Sequence, residues 1–278
     1  MSDFRSRLRT TLLASILFTA LAPLASASED SVETLAFSAT PYLWAPGSKG
    51  TVTIGNRSIP VDSSVGDTFD LLGDLDAGGA MVYLEARWRR LALFTDLSFL
   101  GINTTDSFGP GQRGSVRTKY LQYLVEYGLA YRILEHPNSL VQGLPIWVDL
   151  IAGARWNRIT TEFAFARRPR DVKAKTRFTD PLVGARFSAP LWGNDAAGAF
   201  VARFRGDVGG FGVGSDLAWN VLAGLEWRPP WQPSGADFSV SMGYRTLYED
   251  RETTTAEGES LAVQIQNGGP FLALAFAF

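Results

Sequence analysis

Apolar and polar side chains alternate with period two in one segment after another of this chain. That spacing belongs to strands with one face in an apolar environment and the other in a polar one. Leu121, Tyr123, Val125, Tyr127, Leu129 and Tyr131 share one face, opposite Gln122, Glu126, Gly128 and Arg132. Period two sustained over that length excludes a helix. The same division recurs in 35–44, 79–88, 91–99, 148–156, 180–187, 200–208, 217–228, 238–245 and 269–278. Ten strands are therefore expected, and eight or twelve would follow if a weak segment or the first-loop hairpin were misjudged. Each segment has about the 9–11 tilted residues that span a bilayer. After residue 25 no apolar run reaches the roughly 18 residues of a membrane helix, so any crossing has to be made with strands.

The expected fold is all-β: a single closed antiparallel transmembrane β-barrel over 28–278, with 1–27 as a cleaved signal peptide. Arg5, Arg7 and Arg9 form a basic start, Leu12 to Leu24 an apolar core, and Ala25-Ser26-Ala27 a cleavage site. The chain has no cysteine, which removes disulfides and thiolate chemistry, and no lipid-bearing cysteine follows the cleavage site. Net charge is −2, and nothing in the pattern suggests a nucleic-acid footprint. Of 26 basic residues only Lys49, Lys119, Lys173 and Lys175 are lysines. A preference for arginine suits enclosed, paired charges.

Alternation alone leaves open which face is inside, because a soluble barrel uses the same period with its apolar face inward. Three features favour the membrane orientation. Tryptophans gather near strand ends, with Trp88, Trp147, Trp192, Trp227 and Trp231 towards one rim and Trp44, Trp156 and Trp219 towards the other, as in two aromatic girdles. Connections alternate in length, with longer outer loops expected at 46–76, 102–116, 157–177, 209–216 and 249–261, and a tight turn at Arg89-Arg90; the segment 133–145 is long for a turn. The final segment runs from Phe271 to Phe278, with Leu272, Leu274, Phe276 and Phe278 on one face.

In this last feature the chain resembles bacterial outer-membrane β-barrel proteins, in the broad group of small barrels around outer-membrane proteins A and W. More narrowly, Pro41-Tyr42-Leu43-Trp44-Ala45, Asp207-Val208-Gly209-Gly210-Phe211 and Gly268-Gly269-Pro270-Phe271 look like an uncharacterised proteobacterial barrel family. The resemblance covers the whole mature chain. It implies an outer-membrane location and recognition of the C-terminal strand by the barrel-assembly machinery, but no defined activity.

The first loop has its own structure. Gly50–Ile54 and Ser58–Val61 flank a turn at Gly55-Asn56-Arg57 and predict a hairpin projecting beyond the membrane. Val65, Phe69, Leu72 and Leu75 fall at helical spacing behind the capping box Ser64-x-x-Asp67. A short amphipathic helix over 65–75 is expected, either packed on the rim or acting as a plug for the lumen.

Chemistry has few places to reside. The only histidine, His136, falls in the turn-side sequence Leu134-Glu135-His136-Pro137-Asn138, so an outer-rim Ser–His–acid triad is not available. No enzyme activity, cofactor or metal is expected. If the polar face points inward, the lumen is lined by Glu85, Asp96, Glu126, Asp149, Asp180, Asp207 and Glu226, and by Arg87, Arg132, Arg155, Arg186, Arg203, Arg205, Arg228 and Arg245. Such near balance is what enclosed charges require. It fits a locked ion-pair network or a narrow pore with charged walls. Arg167, Arg168, Arg170, Lys173, Lys175 and Arg177 form a basic run in the third outer loop, a candidate contact for lipopolysaccharide phosphates. The expected function is a narrow passive small-solute channel or a structural barrel with a charged lumen. The alternatives are a surface barrel that binds lipopolysaccharide or another ligand and, less favoured, a barrel hydrolase.

Overall fold

The computed structural model describes residues 35–68, 78–108, 114–138, 141, 143–165, 172–233, 235–254 and 260–278. The predicted signal peptide lies outside the described residues. Twelve strands run in chain order: β1 (Ala36–Trp44), β2 (Gly47–Ile54), β3 (Arg57–Ser63), β4 (Gly78–Trp88), β5 (Leu91–Phe108), β6 (Gly114–Pro137), β7 (Pro145–Phe165), β8 (Val172–Asn194), β9 (Gly198–Gly210), β10 (Leu217–Arg228), β11 (Asp237–Thr254) and β12 (Ser260–Ala277).

Ten of them, β1 and β4–β12, pair antiparallel with their neighbours in sequence order. β1 returns to pair with β12, from Ser38↔Ala277 to Trp44↔Phe271, and closes the barrel. Phe37 and Phe278 exchange backbone hydrogen bonds of 3.1 and 2.8 Å at the end of this seam. Closure leaves the ring of ten strands without an edge, the condition for placing β-structure in an apolar medium.

The other two strands are the expected hairpin. β2 and β3 pair from Ser48↔Ser63 to Ile54↔Arg57, around a turn in which Gly55 has φ +56°. A glycine with positive φ at the first central position suits a two-residue hairpin turn. β2 continues the seam begun by β1, pairing with the other half of β12 from Gly268↔Gly47 to Leu261↔Ile54. The two are separated only by Ala45-Pro46, where the chain crosses so close to β12 that a Cβ on Gly269 would lie 2.0 Å from the Ala45 carbonyl oxygen. The seam can therefore bend here only over a glycine.

The strands run well past the alternating segments. Much of the expected loops 102–116, 157–177 and 249–261 is strand, since β5–β6, β7–β8 and β11–β12 stay in register to Phe108↔Gly114, Phe163↔Val172 and Thr254↔Ser260. A ladder needs only backbone pairing, and residues such as Thr104, Thr105, Thr160 and Thr161 suit strands without an apolar face. The expected outer loop 209–216 is a connection of 211–216 between the end of β9 and the start of β10. Only 65–68 of the expected helix 65–75 is described, as one helical turn; Phe69, Leu72 and Leu75 lie outside the described residues, and Val65 is half-buried.

The apolar face points outward. Leu93, Leu129, Leu150 and Met242 are at least half exposed, and Leu43, Leu97, Tyr127, Val183, Phe204, Leu225, Leu272 and Leu274 join them around the wall. The interior is polar and charged, with two apolar clusters among the charges. Ala92, Phe94, Ala130, Ile151 and Leu182 form one; Trp44, Leu124 and Leu247 form the other, against Tyr42, Met81 and Phe271. The tryptophan girdles are accordingly incomplete. Trp88, Trp192 and Trp231 are exposed at the turn end, whereas Trp44 is buried in the lumen. Trp147 also faces inward, against Arg132, Arg203 and Arg186, whose guanidinium carbons lie 4.5, 5.1 and 5.7 Å from its ring centre. Position near a strand end does not settle the face of a side chain; its parity does.

Candidate functional site: a charged lumen closed at its middle

Inward-facing positions on neighbouring strands bring the charges into layers. At the centre, Glu126 on β6 accepts from three arginines on three other strands: Arg155 Nε at 2.8 Å, Arg205 Nη2 at 2.7 Å and Arg245 Nη2 at 3.3 Å. Arg155 also donates to Asp207 at 2.6 Å, which accepts from Arg205 Nε at 3.2 Å and Asn220 Nδ2 at 2.9 Å. Arg245 extends the layer to the far wall, donating to Asn220 Oδ1 at 3.0 Å, Tyr42 Oη at 2.9 Å and Asp96 at 3.2 Å. Tyr42 donates to Asp96 at 2.7 Å. Arg155, Glu126 and Asn157 have essentially no exposed surface. Three arginines face three carboxylates here, so the layer is neutral and each charge is met by hydrogen bonds. A buried ion cluster needs both, because desolvation costs several kcal/mol per ion.

Towards the turn end, Asp149 is held by Arg87 at 2.6 Å, Arg132 at 2.9 Å and Arg186 at 3.0 Å. Arg186 reaches across the lumen to Glu85 at 2.5 Å and Tyr83 at 2.6 Å. Glu226 accepts from Arg203 at 2.8 Å and Arg228 at 2.6 Å. All of these groups except Asp149 line a cavity of about 1190 Å³ that extends inward to Tyr42, Asp96, Asn220 and Arg245. Val141, in the connection 138–144 that breaks the short-turn expectation, is buried and lines the cavity as well. On the other side of the central layer a smaller cavity, about 190 Å³, is lined by Ser48, Gln122, Phe178, Glu249, Arg251 and Asn267 among others.

The fifteen residues assigned to the lumen from their alternation all lie on the interior face, and fourteen belong to these ion-pair layers. The fifteenth, Asp180, is buried without an arginine partner in hydrogen-bond contact. It accepts from the Ser215 backbone N–H at 2.6 Å and from Ser215 Oγ at 2.9 Å, tying the 211–216 loop to the wall. Several interior residues were missed. Tyr42, Tyr83, Asn157, Asn220, Glu249 and Arg251 occupy inward parities, and the legible signal was their place on the polar side of each strand. Arg251 stacks on Phe178 at 4.2 Å. Arg87 Nη1, Arg155 Nη1 and Arg251 Nη1 are buried with no hydrogen-bond partner among the described residues.

The basic loop run is divided. Arg167, Arg168 and Arg170 lie outside the described residues. Lys173 and Lys175 stand on the loop end of β8, opposite Glu162 and Thr160 of β7, and Arg177 is exposed. His136 is exposed on the last rungs of β6, paired with Ile146, and so belongs to a strand end where a turn was expected. The capping box has formed: Ser64 N–H donates to Asp67 at 2.7 Å and Asp67 N–H to Ser64 Oγ at 3.2 Å. These bonds, the backbone one foremost, hold the Asp67 carboxyl below its usual range.

No protein-family model matches the chain, and no curated protein matches it. Among solved structures, the outer membrane protease OmpT from Escherichia coli is similar at 10% identity and a TM-score of 0.45, over 90% of this chain and 98% of that one. The transport unit of the autotransporter AIDA-I from Escherichia coli is similar at 9% identity and a TM-score of 0.42, over 97% and 95%. A FadL homologue of Pseudomonas aeruginosa follows at 7% identity and 0.26, over 88% and 90%. With every score below 0.5, these likenesses carry no argument about what this chain does.

Proposed function

We propose that this chain is an integral outer-membrane β-barrel of the small-barrel type, exported through its N-terminal signal peptide, and that it is closed at rest and non-enzymatic. Support for the membrane comes from the girth of exposed leucine, valine and aromatic side chains around a wall with no free edge. Moving each such side chain out of water is worth about 1.5–3 kcal/mol, and soluble monomers rarely expose so extended an apolar surface. The assembly machinery reads the C-terminal strand in this scheme, and Lys173, Lys175 and Arg177 meet lipopolysaccharide phosphates at the loop end.

One observation carries the closed state: Arg155, fully buried, bridges Glu126 and Asp207, and Glu126 also meets Arg245 from the opposite wall. A pore at this level would need water around that guanidinium, and there is none of its surface for water to touch. Planar-bilayer recordings of the refolded mature chain test the reading. The expected result is no steady conductance from the wild type, with current appearing when Arg155, Glu126 and Asp207 are replaced together by alanine. A steady ohmic current from the wild type would overturn it and restore the passive-channel reading, whose support is the wide cavity reaching half-way through the barrel.

A further inference from the structure

The turn-end cavity has more positive charge than the walls around it neutralise. Arg87, Arg132 and Arg186 face Glu85 and Asp149 in one set of ion pairs, and Arg203 and Arg228 face Glu226 in another, five guanidinium groups against three enclosed carboxylates. The central layer cannot absorb the surplus because it is already balanced. Three more carboxylates stand exposed at the rim, Glu135 at 3.2 Å from Arg132 and Asp195 and Asp237 at the cavity mouth, where water and salt screen them. A surplus of about two charges therefore sits in a concave, low-dielectric enclosure, the arrangement that focuses potential on an oppositely charged ligand.

Donors accompany the charge. Arg87 Nη1 is buried and has no hydrogen-bond partner among the described residues. Arg203 spends two nitrogens on Glu226, and Arg228 only one. Arg132 and Arg203 are held against the face of Trp147, which removes much of the rotamer freedom an unsupported arginine would lose on binding. The cavity volume, about 1190 Å³, exceeds what a small molecule needs. Guanidinium forks match carboxylate and phosphate oxygens.

We infer that this vestibule is a binding site for a small soluble dianion, a dicarboxylate or a phosphate, held between Arg203, Arg228 and Arg87 beside Trp147. The site goes beyond the closed-barrel reading, and its occupancy is read without any current. The wall separates it from lipid, so a free anion is the ligand.

Calorimetric titration of the folded mature chain in an uncharged detergent tests this, with succinate and inorganic phosphate as probes and succinamide as the neutral control. Saturable binding of either dianion is expected, with none for succinamide. Arg203→Gln and Arg228→Gln should each weaken it about tenfold or more, the loss of one charge-assisted hydrogen-bonded contact. Glu226→Gln removes a competing carboxylate and should tighten binding several-fold, a gain that a loosened fold would not give. Arg251→Gln, on the far side of the central layer, should leave affinity unchanged. The inference is overturned if neither dianion saturates, if succinamide binds equally, or if Glu226→Gln weakens binding or leaves it unchanged in a chain that keeps its folded electrophoretic mobility.

Discussion

Arg155 Nε lies 2.8 Å from Glu126 Oε1, with neither side chain exposed, inside the lumen of a ten-stranded barrel. Twenty-nine positions separate the two in sequence, and they meet on adjacent strands as the direct partners of one rung, Glu126↔Arg155.

That pair predicts a strongly non-additive response to mutation. Arg155→Met leaves Glu126 and Asp207 buried with fewer partners and should cost about 3–5 kcal/mol. Glu126→Met should cost a similar amount by freeing three arginines. The double variant should recover a large part of the loss, and the coupling is read from a double-mutant cycle of urea unfolding in lipid vesicles.

The outward face predicts a depth-dependent penalty. Leu129→Lys or Leu93→Lys places a charge on the lipid side of the wall and should destabilise the barrel by roughly 2–4 kcal/mol if the position is near the midplane. The same substitution at Phe211, in the exposed β9–β10 turn, should cost close to nothing. Equal effects at both positions would contradict the orientation.

Gly269 should tolerate no side chain. A Cβ there meets the Ala45 carbonyl oxygen at 2.0 Å and the Pro46 Cα at 2.8 Å, both backbone atoms that cannot rotate away. Gly269→Val should open the β1–β12 seam beside the bend at a cost of about 1–3 kcal/mol or more. Amide exchange at Ala45, which donates to Pro270, should speed up more than exchange at Phe37 at the far end of the same seam.

The capping box sets a pH response at the start of the first-loop helix. The Asp67 carboxyl titrates below its ordinary value of 3.8 because it accepts from Ser64. With a depressed folded value, the stabilisation is present above pH 3.8 and fades as pH falls through the folded pKa. The Ser64 amide resonance should shift in that acid range, and Asp67→Asn should abolish the titration while keeping the turn.

Much of the wall could be read from residue parity. Strands β4, β6, β7, β10 and the end of β12 were legible because outward-facing apolar and lumen-facing polar residues alternate along them, and the hairpin β2–β3 because Gly55 marks its turn. Strand ends were not legible. Beyond the apolar belt neither face needs hydrophobic side chains, so β5, β7 and β8 lengthen with no signal in hydropathy. Inward apolar residues are not legible either: Leu124 and Leu247 sit among polar neighbours, and Trp44 and Trp147 fit a girdle by position, since a tryptophan near a strand end reads the same on either side of the sheet.

The alternation by itself determined that this chain forms a closed β-wall with one charged and one apolar face, since period two is a local property of the backbone. Only the tertiary structure decided which arginine meets which carboxylate, that the centre is neutral while the turn-end cavity is not, and that the lumen is blocked half-way. Those outcomes depend on strand tilt and stagger, which bring together residues as distant as Glu85 and Arg186. Pairs two apart, such as Arg228 and Glu226, share a strand face, but no short window along the chain contains both Glu85 and Arg186.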